Sequence, residues 1–156
     1  DWCLSTEAGI KDLYTGVGYS FLAPIMTYLI TLTKSPALFF HISTGLIEVI
    51  SIIIFYKILL LLKLNKSNVF LLTLFFAIIP YNQTKITIIC FGYSVGFLFF
   101  ITATLLYFYF TNNKNIVLRL FSLIFFFLSY ILLPSTLILA LAIFLFNAIL
   151  IQKKLN

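Results

Sequence analysis

"PALFFHISTGLIEVISIIIFYKILLLLKLNK", residues 36–66, is where the fold of this chain is decided. The run 37–62 within it starts after Pro36 and ends in "YKILLLLKLNK". A helix needs about 20 apolar residues to cross the hydrocarbon core of a bilayer, and this run supplies them. Its apolar residues are continuous rather than alternating, so it reads as a helix and not as a barrel strand.

The rest of the chain has the same texture. Hydrophobic residues make up 63% of the 156 residues, charged residues 9%, and the mean hydropathy is +1.17. A soluble domain is about half apolar and about a quarter charged, so a soluble globule is excluded. C-terminal to the first span, residues 68–80 form a short apolar run that stops at Pro80, and "YNQTK" (81–85) is a polar turn. Residues 86–111 are a full span closed by "TNNKN"; 116–133 stop before Pro134; 135–151 end in "QKKLN". N-terminal to it, "GVGYSFLAPIMTYLITL" (17–33) is short and broken by Pro24, so it reads as an interfacial or re-entrant helix. Residues 1–16 are a polar head. The expected fold is all-α: a polytopic membrane protein, 1–156 as one domain, with about five membrane helices over 37–151. No internal repeat, linker or soluble domain is present. The short 68–80 run implies a tilted or locally thinned geometry.

The net charge of +6 does not point to nucleic acid, because the basic residues cluster at the ends of apolar runs. That is the pattern of cytoplasmic loops facing anionic lipid. Seven of the ten, namely Lys57, Lys63, Lys66, Lys114, Arg119, Lys153 and Lys154, fall in one set of loops, and Lys11, Lys34 and Lys85 in the other. With 37–62 running outside to inside, all seven are cytoplasmic and the polar head lies on the outer face. The localisation expected is an integral protein of a bacterial plasma membrane. Cys3 and Cys90 sit in unlike settings, so neither a disulfide nor a metal-ligand spacing is expected. The start at Asp1, without Met or a basic leader, reads as a cut end with an upstream signal or first span missing.

Three of the four acids, Asp1, Glu7 and Asp12, crowd into the first twelve residues. An outer-face carboxylate such as Asp1 can take the proton of an attacking hydroxyl, and Trp2 can pack on a sugar face or anchor at the lipid interface. Against this stands the plainer reading of a polar loop beside a membrane anchor. Glu7 and Lys11 have the i, i+4 spacing of a solvated helical pair. Asp12 is placed to help bind a divalent cation, although no metal site or cofactor is evident. His41 and Glu48, seven residues apart inside the first span, share a helix face. They line a site or serve as buried hydrogen-bonded glue between helices. Lys85, in the outer loop, is placed to meet a phosphate or a head carboxylate. Gly92 and Gly96, with Ser94 between them, fit close helix packing. No P-loop, dinucleotide fingerprint, paired-histidine motif or serine elbow occurs.

The order of these features resembles the membrane glycosyltransferases of the GT-C fold. The acidic-Trp start resembles their "DDW" type outer loop. "GYSFLAPIMTYLITLTKSPALFFHISTGLIEVISIIIFYKIL" (18–59) resembles their interfacial helix, turn and following helix. "FFAIIPYNQTKITIICFGYSVGFLFFITATLLYFYF" (75–110) and "SLIFFFLSYILLPSTLILALAIFLFN" (122–147) resemble the helix pairs that follow. The match is one of layout and covers nearly the whole chain. It implies an enzyme that moves a sugar from a polyprenyl-phosphate or polyprenyl-diphosphate donor to a glycan or lipid acceptor on the outer face. It places the base at Asp1, with Trp2, His41 and Lys85 as substrate-binding candidates. A basic residue frequent in the family near the last proline is missing from Ser129–Pro134, and a first span and further helices are expected in complete members. The chain is thus expected to be a fragment or reduced relative.

The leading expectation is a lipid-linked-sugar transferase in cell-envelope polysaccharide assembly. The alternative is a non-catalytic membrane subunit in polysaccharide export. A transporter or flippase ranks last, since His41 and Glu48 are the only ionisable residues well inside spans and no charged pathway is visible.

Overall fold

A computed structural model describes residues 28, 36–78 and 91–155. Apart from Tyr28, which is helical and exposed, the described residues form five α-helices and no strand: α1 (Pro36–Leu61), α2 (Lys66–Ile78), α3 (Phe91–Asn113), α4 (Ile116–Leu132) and α5 (Thr136–Leu155). They coincide with the apolar runs to within a few residues. Two of them contain stretches long and apolar enough to cross a membrane: His41–Leu61, 21 residues, and Phe91–Asn113, 23 residues. At 1.5 Å per residue each reaches about 30 Å. With 13 and 17 residues, α2 and α4 are shorter. The polar head, the 17–33 segment as a whole and the 81–85 turn lie outside the described residues.

Local chemistry sets the helix ends. Pro36 opens α1, where a missing N–H costs no helical bond. α1 and α3 each end at a residue with left-handed backbone, Lys63 (φ 57°) and Lys114 (φ 54°). The Lys63 N–H donates to Leu60 O at 3.0 Å and the Lys114 N–H to Phe110 O at 2.6 Å, closing the exposed carbonyls. Glycine or asparagine normally fills this position, and here both turns carry lysine. Asn115 caps α4, its Oδ1 accepting from Val117 N at 3.0 Å. Pro134 ends α4: the residue before a proline is driven out of the helical region, and Leu133 sits at φ −144°, ψ 85°.

The most extensive packing is between α3 and α4, and small residues make it. Ser122 Oγ donates to Ala103 O at 2.9 Å, and Ser129 Oγ to Gly96 O at 2.8 Å. The serines are seven residues apart, and so are their acceptors, so one seam repeats after two turns of an antiparallel pair. A Cβ on Gly96 would lie 2.9 Å from Leu132 Cβ. That is the close packing expected of the 92–96 stretch. Phe99 meets Phe125, and Phe100 meets Phe126, edge-to-face at 5.5 and 5.9 Å between ring centres. α5 joins through Phe144, whose ring is perpendicular to that of Tyr107 at 4.8 Å. α1 docks on α3, and Phe76 of α2 stacks on Phe55 at 4.4 Å.

The surface is more apolar, and the interior richer in hydroxyl residues, than in a water-soluble fold. Thr44, Ser51, Ser94, Thr104, Ser122, Ser129 and Thr136 are buried, while Phe70, Phe75, Phe127, Ile138 and Leu145 are exposed at more than 60%. In water the hydrophobic effect would drive the opposite choice. Between helices in lipid, small hydroxyl residues are what allow close approach and cross-helix hydrogen bonds.

Candidate functional site: an apolar cleft below a half-buried glutamate

α1 carries one inward stripe. Thr44, Ser51 and Ile58, spaced by seven, are all buried. Glu48 lies between the first two, and its Oε1 is shielded from solvent. Helical spacing puts all four on one face. His41 begins the same stripe but is exposed. The structure therefore separates the two residues: Glu48 turns into the bundle and His41 does not.

About 10 Å further along the same face, seven residues at 1.5 Å each, begins a cleft of about 490 Å³. α1 lines it with Phe55, Ile58 and Leu59, α3 with Phe97, Phe100 and Thr104, and α5 with Leu139 and Ile143; Phe76 of α2 lies beside Phe55. Among the described residues Thr104 is the single polar one in the lining, and its hydroxyl donates to Phe100 O at 2.9 Å within its own helix. The walls thus offer dispersion and apolar surface and nothing for acid–base work. Their size is that of a small-ligand pocket.

Among the described residues no three His, Cys, Asp or Glu side chains gather to hold a metal ion. Asp1, Trp2, Glu7, Asp12 and Lys85 lie outside the described residues. Of the acidic, aromatic and basic residues read from sequence as candidates for the site, His41 and Glu48 are thus the two that lie among the described residues, both on α1.

The cleft was not read from the sequence, and of the α3–α4 seam only the close packing at 92–96 was. The seam had a signal: Ser122 and Ser129 are the only small hydroxyl residues of α4 and stand one heptad apart, as Gly96 and Ala103 do on α3. The cleft had none, because its phenylalanines are among nineteen in the chain. No protein-family model, curated protein or solved structure matches this chain.

Proposed function

We propose that the chain is a polytopic protein of a bacterial plasma membrane, its five helices embedded in lipid and its acidic head on the outer face. We further propose that it is a GT-C-like glycosyltransferase taking a sugar from a polyprenyl-phosphate or polyprenyl-diphosphate donor. The observation that carries this reading is the cleft between α1, α3 and α5, about 490 Å³ and almost wholly apolar. A lipid-linked donor brings a long hydrocarbon chain that must be held while its headgroup reacts. The buried polar residues and exposed apolar ones support the membrane placement.

In this reading the chain of the donor lies in the cleft. The acceptor hydroxyl gives its proton to Asp1 as its oxygen bonds to the anomeric carbon, and the carrier leaves with the electrons of the broken bond. Trp2, His41 and Lys85 contact the sugar and phosphate.

Sugar transfer from a lipid-linked donor in membranes, normalised to protein level, tests the proposal. Asp1→Asn keeps the size of the side chain and removes its basicity, so transfer falls about a hundredfold to ten-thousandfold. Glu7→Gln, whose i, i+4 spacing to Lys11 reads as a solvated pair, loses far less. Ala142→Trp, which fills the cleft, impairs a long-chain donor and spares a short-chain one. Wild-type transfer by Asp1→Asn removes the catalytic assignment and leaves the non-catalytic membrane subunit.

A further inference from the structure

At the turn between α3 and α4 a second cavity, about 290 Å³, is lined by Tyr107, Phe110, Arg119, Ser122 and Phe144 among others. Here the lining includes a cation. The Arg119 guanidinium carbon lies 5.6 Å from the centre of the Phe110 ring, a cation–π contact that holds the head over the pocket. Tyr107 stands against Phe144 and Phe110, at 4.8 and 6.5 Å between ring centres, and fixes the walls. The Ser122 hydroxyl proton is committed to Ala103 O. No carboxylate lines the cavity, and the one acid among the described residues, Glu48, is on α1.

A guanidinium carries five N–H donors in a planar fork. The Phe110 face satisfies its charge but accepts few of those bonds. The matching ligand is a planar or tetrahedral oxyanion, with phosphate fitting the fork bidentately. What lies next to the cation decides the source of that phosphate. Leu120, Leu123, Ile124 and Phe127, at i, i+3, i+4 and i+7, are all exposed and form one continuous apolar stripe starting beside Arg119. A cation at a helix end followed along the axis by an exposed hydrocarbon-compatible stripe is complementary to an amphiphile, not to a free ion. We infer that Arg119 binds the phosphate of an anionic phospholipid whose acyl chains run along this α4 stripe. The site lies at the basic end of the bundle, next to Lys114. It is distinct from the proposed outer-face reaction and rests on the membrane placement alone.

The test is electron spin resonance on the full chain reconstituted in phosphatidylcholine vesicles, with spin-labelled phosphatidylglycerol or spin-labelled phosphatidylcholine as the probe. The motionally restricted fraction is expected to favour phosphatidylglycerol about fivefold, the scale of one interfacial cation. Arg119→Gln abolishes the preference, Arg119→Lys keeps part of it, and Lys114→Gln, outside the pocket lining, keeps most. Circular dichroism verifies that each variant is folded; should Arg119→Gln not fold, the partial loss in Arg119→Lys decides. Equal losses in Arg119→Gln and Lys114→Gln mean a diffuse basic rim and overturn the site. Displacement of the labelled lipid by inorganic phosphate overturns the lipid assignment. Restricted lipid without preference overturns the inference and leaves the membrane placement standing, whereas no restricted lipid with either label overturns both.

Discussion

Ser129 Oγ donates to the carbonyl of Gly96 at 2.8 Å, where α3 and α4 approach so closely that a Cβ on Gly96 would lie 2.9 Å from Leu132 Cβ. The same serine lies 3.1 Å from Thr136 Oγ1, which donates to Leu133 O at 2.7 Å. Each hydroxyl has one proton, so the serine–threonine contact is a hydrogen bond only when one of the other two gives way. Either way the group ties α3, α4 and the start of α5 into one junction. Such a bond within a membrane bundle contributes about 0.6 kcal/mol on average. Ser129→Ala and Ser122→Ala should each destabilise by about that amount. Roughly 10 Å apart along α4, they should be additive in the double variant. Reversible unfolding in mixed micelles measures this. A double variant as stable as wild type would show that the serines fill space and no more.

Gly96 and Gly45 should respond to alanine with opposite signs. An added Cβ at Gly96 meets Leu132 Cβ at 2.9 Å and Leu133 Cβ at 3.2 Å, atoms next to the backbone that do not swing away. The helices must part, at a cost of about 1–3 kcal/mol. At Gly45 nothing lies within 4 Å. Alanine there should stabilise α1 by roughly 0.5–1 kcal/mol through lower chain entropy. The same unfolding assay reads both, and a stabilised Gly96→Ala would contradict the α3–α4 contact.

Glu48 lies on the buried stripe of α1 with Oε1 shielded. Glu48→Gln keeps the shape and most hydrogen bonding and should fold normally. Glu48→Lys puts a longer cation into the same position, where a mid-bilayer charge costs about 2.5 kcal/mol or more, and should express poorly. Membrane yield and size-exclusion profiles compare them. Equal yields of wild type and the lysine variant would mean that this face is not inside the bundle.

The lysines at the two left-handed turn positions give a prediction in which stability and orientation part. Lys63→Gly and Lys114→Gly relieve a backbone conformation unfavourable by roughly 1 kcal/mol and should raise stability. Each also removes a positive charge from the side expected to be cytoplasmic. Single cysteines placed at Lys63, Lys114 or Lys153, with Cys3 and Cys90 replaced, should resist an impermeant thiol reagent applied to intact cells. Labelling from outside would invert the topology and move the acidic head to the cytoplasm. The glycine variants should show a larger inverted fraction than wild type in the same assay.

The helices themselves were legible in the sequence, because what starts and stops them is local. Pro36, the lysine-bearing turns at 63 and 114, and Pro134 punctuate apolar runs, and the structure places α1, α4 and the start of α5 accordingly. The apolar composition by itself pointed to helices that meet lipid, and two of the described helices hold stretches long and apolar enough to cross a membrane. Which face of each helix turns inward was a different matter. In a water-soluble helix the contrast between apolar and polar sides marks the buried face. Here nearly every position is apolar, so that contrast is lost, and packing is decided by fit between small residues and by a few hydroxyl-to-carbonyl bonds. Only the tertiary structure pairs Ser122 with Ala103 and Ser129 with Gly96, turns Glu48 inward while leaving His41 exposed, and gathers Phe55, Phe76, Phe97 and Phe100 around one cleft. These depend on residues far apart in the chain meeting at particular distances, which a nearly uniform apolar sequence does not encode along its length.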